Sequence, residues 1–472
     1  MLGTLILKEV RDIFGSTKFV ISFSVCAVLI LLAFFTGAQN YQAARRQYEA
    51  AKAENLRQCD GLTDWLMLRQ NRIFLPPEPV AAIVTGVSND IGRTVEVTGR
   101  GELSAEDSRF EGEPLFAVFR FLDLEFVFGV VLSLLAILLG YDAICGEKER
   151  GTLRLVFSHA VPRATYICGK LIGSLAALVP ALIVPILIGC LVLVLMGIPV
   201  DVNGWFRLAL AIGTGLLYFM VMLVLSIMVS AMTHRSSSAF LAMLVVWVMS
   251  VFVVPRAAVL LAGRAVVVPS VDELSSKKAA LNSQLWTQGR QAISRWTPEK
   301  TGGDMEGMMK QFQDMMEKQA DERDRKMQEL AGQLNEDRAN RQRVQQRWAF
   351  AAARLSPLAS FSLAVTSLAG TDLNMNDRFA AEAAQYQGDY AKFMKAKTGM
   401  VPGRGMIIMK GDAGGGAKPK PVDPKELPEF QHRPIALAGA VETAIPSIGL
   451  LIVWGLGAFI TAFWSFLRYD LR

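Results

Sequence analysis

The sequence predicts a mainly α membrane protein: six transmembrane helices, an interfacial N-terminal helix, a small α+β outer domain and a larger helical or coiled-coil outer domain. Three observations predict it. Half of the 472 residues are apolar (52 %) and few are charged (19 %), a balance that leaves a soluble chain of this length short of surface charge. Six stretches are apolar over about 20 residues, the length an α-helix needs to cross hydrocarbon. Two polar stretches, 39–123 and 263–442, separate them and are too long to be loops.

Residues 1–18 come first. Leu2, Leu5, Ile6, Val10, Ile13 and Phe14 recur at helical spacing opposite Lys8, Glu9, Arg11 and Asp12. That pattern predicts an amphipathic helix lying in the membrane interface. The first span, 19–38, is longer than a signal-peptide core. Thr36-Gly37-Ala38 is a poor cleavage site, so the span reads as an uncleaved anchor. In the first outer domain, 39–123, a polar helix is expected from Gln39 to Arg72, stopped by Leu75-Pro76-Pro77. Strand-like pieces at 80–87 and 93–99 follow, parted by Ser88-Asn89-Asp90 and Gly92. The second span is 124–142. A charged segment, 143–170, leads to spans at 171–197, 205–232 and 238–262. The second outer domain, 263–442, opens with the capping box Ser270-Val271-Asp272-Glu273 and a helix to Trp296. Thr297-Pro298 and Gly302-Gly303 break it. A longer helix then runs from Asp304 to Leu355, with Phe312, Met316, Ala320, Met327, Leu330 and Leu334 on one face. A helical hairpin or short coiled coil is expected. The Gly-, Pro- and Lys-rich stretch 399–429 reads as a flexible linker returning to the sixth span, 443–467.

Orientation follows from basic residues near the span ends. Lys8, Arg11, Lys18, Lys148, Arg150, Arg154, Arg163, Lys170, Arg235, Arg468 and Arg472 fall on one side of a six-span chain. Both termini are therefore expected in the cytoplasm, and both polar domains on the periplasmic side of a bacterial inner membrane. The net charge of +6 reflects this orientation. No basic stripe interleaved with aromatics points to nucleic acid. Of Cys26, Cys59, Cys145, Cys168 and Cys190, only Cys59 is expected outside, where it has no intrachain disulfide partner.

Several chemistries are missing. At 164–171 the pattern G-x-x-x-x-G-K-[ST] fails, because Ala164 replaces the first glycine and Leu171 follows Gly169-Lys170. The chain has no such loop for ATP phosphates. There is no H-E-x-x-H and no G-x-S-x-G. His159, His234 and His432 lie in separate regions and read as solvent-facing. No metal site is expected. Met305, Met308, Met309, Met315 and Met316 suit copper as soft ligands, but their helical spacing favours an adaptable packing stripe. The acidic residues Asp123, Glu125, Asp142 and Glu442 sit at span ends, not at mid-membrane where a proton relay needs them. An external energy source is the consequence. Arg256 and Glu442, at the outer ends of spans five and six, are candidates for an outer-surface ion pair or for separate contacts with headgroups.

The segment Tyr141–Gly173, YDAICGEKERGTLRLVFSHAVPRATYICGKLIG, resembles the first cytoplasmic loop of ABC-2-type transporter permeases. Glu147, Glu149, Gly151, Thr152, Leu153, Ser158, Pro162, Arg163, Gly169 and Lys170 match that family's pattern. PPEPVAAIVTGV, FRFLDLEF, VVPR and RLSPLASFSLAVTSLAGTD resemble the subgroup with large extracytoplasmic insertions. The resemblance implies a non-catalytic permease subunit, paired with an identical or paralogous second permease and docked on a cytoplasmic ABC ATPase that binds the ATP and magnesium. It implies a docking and coupling element at Glu147, Lys148, Glu149, Arg150, Gly151, Thr152 and Arg163. Substrate export or translocation is the leading expectation. The alternative is mechanotransmission, with ATP turnover reshaping the outer helices against a periplasmic partner protein without passage of a solute.

Overall fold

Helix α1 (Leu2–Phe14) is the amphipathic N-terminal segment, and Ser16 then caps the next helix by accepting the Phe19 N–H at 3.2 Å. Among the described residues, six helices are long and apolar enough to cross a membrane: α2 (Thr17–Arg57), α3 (Leu124–Glu149), α5 (Arg163–Leu195), α6 (Val202–Met232), α7 (Ser236–Ala265) and α12 (Leu437–Leu467). A short helix, α4 (Thr152–Ser158), lies between α3 and α5. The computed structural model describes residues 2–60, 62–68, 71–88, 90–99, 103, 105–106, 122–158, 161–294, 297, 305–398 and 422–468. Two compact units result, one of Met1–Pro255 with Arg354–Arg472, the other of Arg256–Ala353.

In the first unit α6 is the most enclosed span, packed by α12, α3 and a helix that sequence reasoning passed over, α10 (Pro357–Ala369). Its 13 residues are too few to cross hydrocarbon. Ser356 caps its start by accepting the Ala359 N–H at 3.3 Å. The helix buries Phe361 in a stack on Tyr218, with ring centroids 4.9 Å apart. Polar atoms inside the bundle are paired, as the medium demands. The Trp247 indole donates to Ser133 Oγ at 2.8 Å, and that hydroxyl donates to the Gly129 carbonyl at 2.7 Å.

The α+β body differs from the sequence expectation in three ways. The helix expected to Arg72 ends at Arg57, before the turn dipeptide Asp60-Gly61. The apolar residues after it serve a sheet, not a polar helix. Residues 80–87 form no strand. Pro79–Ala82 is a 3-10 turn, and Val80, Ile83 and Val84 are buried with the spans. The sheet instead consists of β1 (Asn71–Phe74), β2 (Thr94–Val97) and β3 (Ala105–Glu106), antiparallel in that order, with Asn71 opposite Val97. Only β2 falls on an expected strand. Nor is the body confined to 39–123. Helix α11 (Asn374–Thr398) supplies Met375, Phe379, Ala383, Tyr386, Tyr390 and Met394, at helical spacing, to a core shared with Trp65, Ile73, Val95 and Val97. Val422, Leu427 and Phe430 pack on the same core. Those three residues belong to structure and not to the flexible linker expected over 399–429, whose first part lies outside the described residues. All five cysteines are free, and Cys59 is buried in this core.

The second unit holds two long helices, read here as the two arms of a hairpin. Helices α8 (Val271–Ser294) and α9 (Met305–Ala353) pack on each other. Half of the capping box is made: Ser270 Oγ accepts the Glu273 N–H at 3.1 Å, while Glu273 pairs with Lys277 at 2.7 Å. The Arg323 guanidinium lies over Trp286, 4.4 Å from the ring centroid. The break at 298–303 and His159 lie outside the described residues, as do the side chains of Met305, Met308 and Met309.

Candidate coupling and docking site

The charged segment between the second and third spans is held by three other parts of the chain. After a turn at 141–144, the last turn of α3, Cys145–Glu149, is seated on α6. The Ile144 and Cys145 N–H groups both donate to Ser230 Oγ, each at 3.0 Å. These are amides that a helix start leaves without internal partners. Gly151 then takes φ +73°, a left-handed turn that glycine adopts without strain, and α4 departs in a new direction.

Glu147 does not face outward. Its Oε2 accepts the Tyr166 hydroxyl at 2.6 Å, and its Oε1 lies 2.9 Å from Lys170 Nζ and 3.9 Å from Lys8 Nζ. Lys170 also pairs with Glu9 Oε2 at 2.7 Å. One ammonium, 9 % exposed, thus ties the interfacial helix α1 and the end of α3 to the start of α5. Burial pushes the Glu9 carboxyl above its ordinary range, against the opposing pull of Lys170. The close approach of α1 to α5 depends on Gly173, where a Cβ would lie 2.6 Å from Glu9 Cβ. A second tie, Lys18 to Asp142 at 2.8 Å, with a hydrogen bond from the same ammonium to the Tyr141 hydroxyl at 3.0 Å, fastens α2 to α3.

The remaining site residues divide into two groups. Lys148 is drawn inward, donating to the Ala231 and Thr233 carbonyls at the end of α6. Arg163 donates to the Leu467 carbonyl at the end of α12. Glu149 accepts from the Ser236 N–H at 3.1 Å and the Ser236 hydroxyl at 2.7 Å. It places a carboxylate at the N-terminus of α7, where the helix dipole favours it. Glu149, Arg150, Gly151 and Thr152 are nonetheless exposed, together with Arg154 and Leu155. Leu155 is 65 % exposed. The site is therefore two-sided: ion pairs facing the spans, and an exposed mixed-charge edge with one apolar side chain.

Glu9, Tyr166, Lys18 and Asp142 were not among the coupling residues read from sequence. The signal for Glu9 was available, since it lies on the polar face of an amphipathic helix, but its partner is remote in sequence. Arg256 and Glu442 are each exposed, Arg256 in the second unit and Glu442 on α12 in the first. His234 is exposed, as expected. His432 is not: its side chain is 10 % exposed and lies 2.7 Å from Glu382. The expected solvent-facing role is overturned by that carboxylate partner. Among the described residues no group of His, Cys, Asp and Glu is arranged to hold a metal ion.

Comparison with known proteins finds related permeases. Two curated relatives carry the name probable ABC transporter permease protein NosY. The one from Stutzerimonas stutzeri is 33 % identical over 127 residues, 26 % of this chain and 45 % of that protein. The one from Pseudomonas aeruginosa is 33 % identical over 112 residues, 23 % of this chain and 40 % of that protein. The chain thus spans less than half the length of either relative. A model of the ABC-2 family transporter protein matches residues 4–471. With six apolar helices and that match over nearly its whole length, the chain belongs to the ABC-2 family of multi-pass transporter permeases.

Proposed function

We propose that this chain is the permease subunit of a bacterial ABC transporter, exporting or translocating a substrate across the inner membrane with energy from a separate cytoplasmic ATPase. ATP and magnesium belong to that partner. Both termini and the 143–170 segment face the cytoplasm, in line with the basic residues gathered there. The α+β body and the helical hairpin face the periplasm. A second permease, identical or related, completes the membrane part, and the large periplasmic elements are available to an envelope partner.

The observation that carries this reading is the two-sided build of the coupling segment. Its inner side is joined through Glu147 and Lys170 to α1 and α5, and through Lys148 and Ser230 to α6. On its outer edge Glu149, Arg150, Gly151, Thr152, Arg154 and Leu155 are exposed, while Leu153 packs inward. A push on that edge is delivered to three helices at once, because buried ion pairs resist separation. Glu147 and Lys148 are positioning residues here. Arg150, Thr152, Arg154 and Leu155 are the docking surface.

The test is the double substitution Arg150→Glu with Leu155→Asp, in the complex purified in mild detergent. Both side chains are exposed, so the six-span fold is expected to persist. Copurification of the ATPase and substrate-coupled ATP hydrolysis are expected to fall at least several-fold. Unchanged copurification and hydrolysis would remove the docking role from this edge.

A further inference from the structure

At the opposite end of the first unit lies a second buried ionic group that the coupling site does not use. Arg207, in the first turns of α6, is 4 % exposed. Its Nε donates to the Leu368 carbonyl at 2.8 Å and its Nη2 to the Ala369 carbonyl, in the last turn of α10. The same Nη2 lies 3.1 Å from Glu78 Oε2. Glu78 immediately precedes the Pro79–Ala82 turn, and its second oxygen, Oε1, faces His432 Nε2 at 3.8 Å. On the other side of the ring, His432 Nδ1 lies 2.7 Å from Glu382 Oε2 on α11. Glu382 Oε1 accepts the Arg433 N–H at 3.1 Å. The start of α6, the end of α10, the 75–79 segment, helix α11 and the lead into α12 all meet at this one chain of side chains.

The arrangement selects a protonation state. An ionised carboxylate only accepts, so His432 Nδ1 must carry a proton toward Glu382. The buried Nε2 atom makes no hydrogen bond and faces a second carboxylate oxygen. As a bare lone pair it repels that oxygen, and as an N–H it attracts it. Charge gives the same answer. Glu78 and Glu382 bring two negative charges and Arg207 one positive, so the group is neutral only with an imidazolium at His432. Left neutral, the ring would strand an uncompensated buried charge, which is costly. Of the other charged groups nearby, the Arg433 side chain is exposed and Arg378 and Asp372 pair with each other. Arg378, one turn before Glu382 on α11, pairs with Asp372 at 3.4 Å and donates to the Gly370 carbonyl at 2.9 Å.

We propose that the Arg207–Glu78–His432–Glu382 chain is a proton-closed joint that fastens the α+β body to the ends of α6, α10 and α12. With His432 doubly protonated, α11 and the sheet are held to the spans. With the proton lost, the contact between Glu78 and Glu382 opens and α11 loosens. Burial by itself lowers the basicity of the ring, but the Glu78 and Glu382 carboxylates outweigh it and hold His432 above its ordinary value. For a histidine raised on folding, the stabilisation is fully present below the unfolded value and is lost as pH rises through the folded one. The joint therefore opens on the alkaline side. It deepens the permease reading, because it lies where movement of α6 or α12 reaches the periplasmic body.

Hydrogen exchange of the full-length chain in lipid nanodiscs tests the joint, at pH 6 and pH 9 with intrinsic rates matched. In the wild type, exchange within 379–394 is expected to rise several-fold at the higher pH while the middle of α6 stays unchanged. His432→Gln, which keeps the bond to Glu382 but carries no charge, is expected to lose that pH dependence. An identical pH response in His432→Gln, or no response in the wild type, would overturn the proposal. If that variant does not fold, the wild-type ring still decides. The chain has three histidines, so nuclear magnetic resonance of labelled imidazoles, in a chain carrying His159→Gln and His234→Gln, isolates His432. A midpoint above 6.5 is expected, and one at or below it overturns the joint. Neither measurement needs an ATPase, so failure here leaves the docking test standing, and failure there leaves this one.

Discussion

Lys170 shows how one side chain acquires its role from neighbours far away in sequence. It was legible as part of a loop motif, yet its partners Glu9 and Glu147 stand on two other helices. Replacing it with methionine leaves two buried carboxylates facing each other. Removing one partner of such a cluster costs about 3–5 kcal/mol. Lys170→Met is therefore expected to lower the thermal midpoint in detergent markedly, and adding Glu9→Gln is expected to recover part of the loss. Gly173→Ala tests the same seam sterically. Its Cβ would meet Glu9 Cβ at 2.6 Å and the Ile6 carbonyl at 3.3 Å, so α1 must shift. Overpacking of that kind costs about 1–3 kcal/mol. Tryptic cleavage within 8–18 is expected to accelerate in this variant, whereas cleavage in α9 is unchanged.

Among elements, spans were the easiest to read and the α+β body the hardest. A span must be apolar over a fixed length, and the chain cannot disguise that. The stretch 171–197 falls on α5, which starts earlier, at Arg163, and stops at Leu195. The helices of the hairpin, α8 and α9, also matched, because caps and breakers are local signals. The sheet failed for the opposite reason. Its strands have two to four residues, too short for alternation to stand out, and half of their core comes from α11, about 300 residues away. Helix α10 was missed because a mostly apolar segment of 13 residues suits a surface position as well as a wedge between spans. The dependence of the sheet on α11 gives a prediction. Phe379→Ala removes a ring that is 1 % exposed, a loss of about 3–5 kcal/mol in a close-packed core. Exchange at β1 and β2 is expected to accelerate together with α11. If the sheet stayed protected while α11 alone loosened, the shared core would not be what holds it.

For the whole molecule, the strongest sequence inference is that all the basic span ends gather on one side, and it is open to direct test. In a cysteine-free background, Glu329→Cys on α9 is expected to react with an impermeant maleimide added to spheroplasts. Arg154→Cys is expected to react only after the membrane is opened. The reverse pattern would invert the orientation, and with it the assignment of the coupling segment to the cytoplasm. What the sequence by itself determined was the number of apolar helices, the family and the position of the charged segment between the second and third of them. Those properties rest on local composition, on periodicity and on a contiguous motif. Only the tertiary structure decided which of its charges face inward. Glu147 and Lys148 turn into the bundle, Arg150 and Leu155 stay exposed, and His432, read from sequence as an ordinary polar residue, stands between two carboxylates. Ion pairing depends on atoms brought within about 4 Å across the fold, and no spacing along the chain records that distance.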